Sequence, residues 1–417
     1  MANVFVTRKD GDVVRLMLAS FHNKSTFLKT VNRQHDKDFG QAGRKNAGSI
    51  LIKNPNEYTV GSSAVIAVQD IAESSQTMTV ATRRNVAVKI SSYERLMSED
   101  DFVKEVADPA MARLAAEVEY TILADVYKNV YNMTGASTMA TDPATLACIQ
   151  NAGARLTYGL APDDDRHLLL NPTAMAGVVG SVSAYFHKAS EVERAFAKGY
   201  IGEAGGFKWW ETALVPNHTN GTRTDTTPVA TIGGSVTVPT GGIVTDDATI
   251  TMTAFPDGLS YAAGDVFTIA DVYACNRETK QRLPHLQQFV ATAAATETGS
   301  GDMVVEVSPV PVATGAKQNI SIASTGEKAV LNLTGGGSGA ASAVYAQNLA
   351  YHRDAFTVAF ADLPMPYGDK GSRAVMDNIS MRMWQFSDGI NDTHTTRFDV
   401  LFGYLSQRPE WATRVRG

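Results

Sequence analysis

Asp108 and Pro109 open the stretch that most limits what this chain can become. A carboxylate before the first turn accepts an orphan backbone N–H, and Pro, which has no N–H to lose, is tolerated at the first helical position. The pair predicts a helix start, with Asp108 as cap. Beyond it Met111, Ala115, Val118, Ile122 and Val126 recur three or four residues apart as one apolar stripe, with Arg113, Glu117, Glu119 and Lys128 largely off it. The whole stretch 98–131 holds the longest uninterrupted helical signal, and a helix of roughly 20 residues is ~30 Å long, enough to cross a domain. No residue on the stripe is chemically reactive, so taken alone it reads as an ordinary core helix.

At 417 residues the chain exceeds what one core usually supports, which predicts two or three domains. Its 44% apolar and 19% charged residues are those of a soluble globular chain, and no run approaches the ~20 apolar residues of a membrane span. The opening MANVFVTRKDGD lacks the apolar run of a signal peptide, so the chain is expected to stay where it is made. Cys148 and Cys275 are its two cysteines; with no second thiol near either, they fit a reducing compartment and exclude a cysteine-only zinc site.

The net charge of −6 is unevenly spread. Residues 1–53 carry ten basic side chains (Arg8, Lys9, Arg15, Lys24, Lys29, Arg33, Lys37, Arg44, Lys45, Lys53) against four acids, a balance of +6. Such an arm suits a polyanion or the acidic surface of a neighbouring copy.

In chain order, residues 13–31 show a short helical pattern and a polar break, with no core yet expected. From 33 to about 92 the segments SILIKNP, EYTVG, AVIAVQDI, QTMTVAT and NVAVKIS alternate apolar and polar residues between turn formers, a β-rich antiparallel excursion that reads as a small sheet or a projecting hairpin. A free two-stranded ribbon is marginal in water and needs a partner. After the long helix comes a second one closed by Gly159, a turn at 162–165, the strand RHLLL, a helix opened by Asn171 and Pro172, and the Gly- and aromatic-rich 199–216. Residues 219–345 then lose helical periodicity. Short Thr/Val-rich strands follow one another there with turn residues between, predicting an inserted β-barrel or sandwich with six bases against eleven acids, and GGGSGAAS at 335–342 as its exit linker. In the tail, Ile379, Met381, Met383 and Trp384 face Phe398, Val400, Phe402 and Tyr404 as two antiparallel strands.

The chain contains no G-x-x-x-x-G-K-[ST], H-E-x-x-H or G-x-S-x-G string. The run 335–339 reads as linker rather than phosphate loop, Asp163 to Asp165 as a solvated turn rather than a cation site, and His352 as part of a polar network. Phe207, Trp209 and Trp210 read as a core or interface cluster, since only Lys208 offers the charge a base-stacking surface needs. No catalytic, cofactor-binding or metal-binding residue is assigned, and no cofactor.

Several strings then resemble one family. NLAYHRDAFTVAFADLPMP (348–366), SMRMWQFSDGINDTHTTRFDVLFGYLSQRPEWATRV (380–415), DRHLLLNPTAM, GYIGEAGGFKWWETALVPNHTNGT, QHDKDFGQAGRKNAGSILIKNP and DPAMARLAAEVE are similar, in order and spacing, to major coat proteins of tailed bacteriophages of the P-22-like group. The insertion resembles it more loosely, through AGDVFTIADVYACNRETK and LQQFVATA.

The resemblance implies an α+β, HK-97-like capsid fold. It implies an N-terminal arm at 1–32, an extended β loop at 33–92, a peripheral domain with the spine helix at 93–134, an axial domain at 135–218, an inserted all-β barrel at 219–345, and a C-terminal part of the axial and peripheral domains at 346–417. It further implies a major capsid protein, not an enzyme, that self-assembles into hexamers and pentamers of an icosahedral shell around double-stranded DNA. The implied partners are a scaffolding protein, a portal protein, an optional decoration protein and packaged DNA held by non-specific electrostatics, with no membrane. The implied location is the virion, assembled in the host cytoplasm. The contrasting reading is a non-viral β-rich binding module or a cryptic hydrolase.

Overall fold

The computed structural model describes residues 10–33, 48–61, 68–69, 73–91, 108–135, 142–143, 145–182, 203–222, 235–238, 248–253, 260–297, 303–324, 326–333, 344–365, 370–388 and 393–416. The 335–342 linker, residues 98–107 of the long helical stretch, and Arg8, Lys9, Lys37, Arg44 and Lys45 of the basic arm lie outside the described residues. The class is mixed α+β, as expected. The chain divides into two compact units.

The first unit draws on Met1–Asn54, Ser75–Ile122 and Phe356–Leu405. Its frame is a five-stranded sheet built around the 14-residue strand Thr393–Ser406. Thr82–Ser91 pairs antiparallel with that strand, as does Ile379–Asp388. Lys370–Met376 follows at the edge through a two-residue turn in which Asp377 and Asn378 both take positive φ, the conformation a tight hairpin requires. Phe356–Ala361 completes the sheet. The expected pairing of the two C-terminal segments is therefore present, with Met383 opposite Phe398 and Trp384 opposite Arg397.

Helix α1, Asp10–Lys24, packs on the strands Lys370–Met376 and Ile379–Asp388. Its buried residues Val14, Met17, Leu18 and Phe21 have helical spacing, and Phe27, Leu28 and Val31 continue the core past its end. This corrects the expectation that residues 13–31 build no core. Helix α2, Asp108–Val126, buries all five residues of the predicted stripe. Asp108 sits inside the helix rather than before it, and its carboxylate accepts the Ser20 hydroxyl at 2.7 Å. Glu119 corrects a second expectation: it is 1% exposed, not off the buried face.

Of the β excursion, AVIAVQDI lies largely outside the described residues, and the described part is divided. Ser49–Lys53 and Ser75–Thr79 form a two-stranded ribbon in register Ile50 to Met78, whereas NVAVKIS belongs to the main sheet, and EYTVG forms no strand. Ile50, Ile52, Met78 and Val80 pack with Ala359, Ala361, Leu401 and Leu405. The ribbon crosses so close that a Cβ at Gly403 would collide with the carbonyl of Thr79.

The second unit comprises Pro55–Ser74, Leu123–Ala355 and Ser406–Gly417. Its body is a six-stranded mixed sheet in the order Met133–Thr134, Ala412–Val415, Asn348–His352, Arg166–Leu170, Phe207–Glu211, Glu203–Ala204. The three central strands are buried along their whole length, which is why RHLLL shows no alternation. Helices α3, Leu146–Tyr158, and α4, Pro172–Val182, contribute Ile149, Ala152, Leu156, Ala174, Met175 and Val178 to its core. Gly159 ends α3 as predicted, its N–H on Arg155 O at 3.0 Å, and Asn171 opens α4 by accepting the Ala174 N–H at 2.8 Å.

The insertion is a closed barrel. Ser235–Val238, Thr249–Thr253, Met303–Ser308, Arg282–Ala291, Val266–Cys275 and Gly326–Asn332 pair antiparallel in a ring, and Ile320–Ile322 adds to Val266–Cys275. Phe267, Phe289, Met252, Met303 and Val305 fill it. Among the described residues, closure leaves no long unpaired edge. At its stem Asn217–Thr219 pairs with Val344–Ala346, so the chain leaves and re-enters the body through one short ribbon.

Candidate functional site

The residues singled out for chemistry are placed in structural roles. Asp163 pairs with Arg166 at 2.8 Å and Asp165 with Lys208 at 2.7 Å, so the acidic turn is held by cations of its own chain. Hydrogen bonding to Lys208 holds the Asp165 carboxyl below its ordinary range. His352 accepts the Asp354 N–H at Nδ1 and meets Trp411 edge-on at 5.2 Å, the polar network anticipated for it. Phe207 and Trp209 lie in the core, and Trp210 donates its indole N–H to His167 Nδ1 at 3.1 Å. Burial, with Lys208 adding to it, pushes His167 down to about 4, so the ring accepts that bond in its neutral form at pH 7.

Both cysteines are free. No group of His, Cys, Asp and Glu among the described residues has a metal-binding arrangement. A cleft lined by Arg155, His285, Arg277 and Glu410, among others, has a volume of about 50 Å³. Small-molecule sites usually measure about 300–1,000 Å³, so this one does not hold a substrate of ordinary size.

What the sequence did not signal is how the packed elements are bonded. In the first unit, Glu119 Oε1 accepts the N–H groups of Thr26 at 2.7 Å and Leu28 at 3.0 Å. Asp399, its side chain fully buried, binds Arg382 at 2.6 Å, Arg397 at 2.7 Å and Arg83 at 2.9 Å. Burial pushes its carboxyl up, but the three guanidiniums overcome this and hold it below the usual range. Arg33, counted above as arm charge, instead grips the Asp377 turn through the carboxylate at 2.6 Å and the carbonyl at 3.0 Å.

In the second unit, Gln288 bonds both backbone groups of Met133, its Oε1 to the N–H at 2.7 Å and its Nε2 to the carbonyl at 3.0 Å. Beside this bond Tyr131, Met133, Val266 and Val290 join barrel and body in one apolar cluster. His218 reaches Asp265 at 2.9 Å through Nε2 and Tyr127 at 3.1 Å through Nδ1. Burial lowers its pKa, so the neutral ring donates to Asp265 and accepts from Tyr127.

Two of the surfaces exposed among the described residues bear on binding. On the ribbon Leu51 is 63% exposed, and on the following segment Tyr58, Val60 and Val68 are 55%, 96% and 90% exposed. A second surface is the exposed side of α1, with Arg15 and Lys24.

A family model described as the P22 coat protein, gene protein 5, matches residues 17–414. The chain belongs to that family. It is thus a coat protein, a structural subunit that forms the shell of a phage head, and the binding-module and hydrolase readings are displaced. Its place is the virion.

Solved structures that resemble it include Mycobacterium phage Che8, at 11% identity and a TM-score of 0.47 over 94% of this chain and 90% of that one. The capsid of Ralstonia phage GP4 gives 8% and 0.46 over 100% and 94%, and the mature capsid of bacteriophage PhiM1 gives 10% and 0.43 over 100% and 90%. No curated protein matches the chain.

Proposed function

We propose that this coat protein is an HK-97-type subunit whose segment 33–92 is the element that bonds one copy to the next. In this reading residues 1–32 are the arm, 93–134 the peripheral domain, 135–218 the axial domain, 219–345 the outer insertion, and 346–417 the tail shared by axial and peripheral domains. The copies close hexamers and pentamers around double-stranded DNA. A scaffolding protein directs assembly in the host cytoplasm, a portal protein occupies one vertex, and a decoration protein is an optional outer partner.

The observation that carries this is the apolar exposure of Tyr58, Val60 and Val68 within Pro55–Ser74. Large apolar side chains gathered on one segment mark a binding surface, whereas scattered ones would not. Partner burial of each contributes about 1.5–3 kcal/mol per side chain. Many such contacts repeated around a closed shell suffice for assembly without any active site.

The test is the double variant Val60→Asp, Val68→Asp. It is expected to stay a folded monomer with unchanged melting, because both side chains face solvent, and to form no shells by negative-stain microscopy with or without scaffold. Normal particles would refute the assignment.

A further inference from the structure

Arg414 lies on the strand Ala412–Val415 and Arg416 just past its end, two residues on and so on the same face. They are 0% and 1% exposed. Arg414 Nη1 donates to Gly264 O at 2.7 Å and reaches Gln347 Oε1 at 3.5 Å, and its guanidinium lies 5.2 Å from the Tyr127 ring centre. Arg416 stacks on Tyr345 at 4.1 Å. Nε and Nη2 of Arg414 and both Nη atoms of Arg416 have no hydrogen-bond partner among the described residues.

The nearby carboxylates are engaged elsewhere. Asp265 binds His218 and the N–H groups of Gly221 and Ala262, and Asp142 binds Asn171 and Asn348. Burial pulls Arg414 down to about 9 and Arg416 to about 10, which still leaves both charged at neutral pH. Two buried like charges with four open donors form an arrangement that proteins resolve with an opposite charge.

We propose that Arg414 and Arg416 together hold a small oxyanion at the stem of the barrel. The guanidinium fork matches the oxygens of phosphate or carboxylate in geometry. At 0% and 1% exposure the two side chains are out of reach of a neighbouring subunit's surface, so the occupant is a diffusible anion enclosed during folding. Because Gly264 leads into the barrel strand Val266–Cys275, Tyr345 belongs to the stem and Arg414 to the body sheet, the anion ties barrel, stem and body together.

The experiment is thermal melting of the full chain in phosphate from 1 to 100 mM, at constant ionic strength set with chloride, with acetate in parallel. A ligand that binds only the folded state raises the melting temperature with concentration, here by about 3 °C across that range for a millimolar site. The rise should vanish in Arg416→Met, which removes the buried charge while keeping most of its volume. A response to acetate as large as that to phosphate assigns a planar carboxylate site, and a response to phosphate alone a tetrahedral one.

Equilibrium dialysis of wild-type protein refolded with labelled phosphate or labelled acetate gives a readout that does not depend on the variant folding. About one bound anion per chain is expected, lost on competition with unlabelled phosphate. No anion-specific rise, an equal rise in Arg416→Met, or no retained anion of either kind would overturn the site and leave water as the partner of these nitrogens.

Discussion

The carboxylate of Glu119 accepts the backbone N–H of Leu28 at 3.0 Å, joining the long helix to a turn 91 residues earlier in the chain. The same oxygen accepts Thr26 N–H, so the turn after α1 has two of its donors bonded by one side chain. Burial raises the Glu119 pKa from 4.5 to about 7, against the lowering effect of these bonds. An acid whose pKa is raised by folding binds protons more tightly in the native state. Its contribution is therefore most favourable at low pH and declines as pH rises from about 4.5 to about 7, by about 3 kcal/mol. Gln keeps the accepting oxygen and carries no charge. Glu119→Gln should match wild type near pH 4.5 and melt progressively higher than wild type towards pH 8. Glu119→Ala should fall about 1–3 kcal/mol below Glu119→Gln at both pH values, because buried N–H groups are left unpaired. Parallel melting curves of Glu119→Gln and wild type across pH would remove the buried charge from the account.

Asp399 illustrates the same point with the opposite sign of shift. Its carboxylate is the shared acceptor of Arg83, Arg382 and Arg397, and it stabilises the sheet at any pH above the ordinary carboxylate pKa of 3.8. That stability is lost as pH falls below 3.8, through the lower native value. Asp399→Asn leaves three guanidiniums around a neutral group, and removal of one partner from a buried pair costs about 3–5 kcal/mol. Urea titration followed by circular dichroism should show that loss in the first unit. A change below about 1 kcal/mol would mean that water already screens the cluster.

These two residues also mark where sequence reading ends. The α2 stripe, the closing Gly159, the capping Asn171 and the β class of the insertion were legible, because each depends on residues within a few positions. Glu119 was misread as lying off the stripe, although it stands four residues after Ala115 and three before Ile122, on the stripe's own face. Its partner was not legible, since nothing local in residues 26–28 announces an acceptor from another helix. Asp399 reads as a charge in an alternating strand, but Arg83 is 316 residues away in sequence. The same distance hid the core made by residues 14–31, whose apolar positions only acquire meaning against the strands of the tail.

The basic segment separates into charges that fold the chain and charges left for partners. Arg33 is bonded to the Asp377 turn, which also receives His22 at 3.0 Å, while Arg15 is exposed on α1. Arg15→Glu with Lys24→Glu should leave the melting temperature nearly unchanged, since exposed charges contribute little to folding. It should reduce assembly with scaffold or genome retention at low salt, with the difference fading as ionic strength rises and screening shortens to ~8 Å at 0.15 M. Arg33→Glu, by contrast, should lower the melting temperature by several degrees through repulsion from Asp377. Assembly equal to wild type at every salt concentration would reduce Arg15 and Lys24 to solvated surface.

Gln288 decides how far the barrel is a separate body. The barrel core closes on itself through Phe267, Phe289, Met252 and Met303, so residues 219–345 alone are expected to melt cooperatively. They should do so at a lower temperature than within the full chain, because Val266 and Val290 lose Tyr131 and Met133, and Asp265 loses its bond to His218, which lies outside the fragment. Within the full chain, Gln288→Leu removes both bonds to Met133 and leaves a buried N–H and carbonyl unpaired, at about 1–3 kcal/mol each. The effect should appear in calorimetry as a barrel transition moving away from that of the body, with the barrel's own melting little changed. If Gln288→Leu instead lowers a single undivided transition, barrel and body unfold as one unit and the insertion is a domain by topology only.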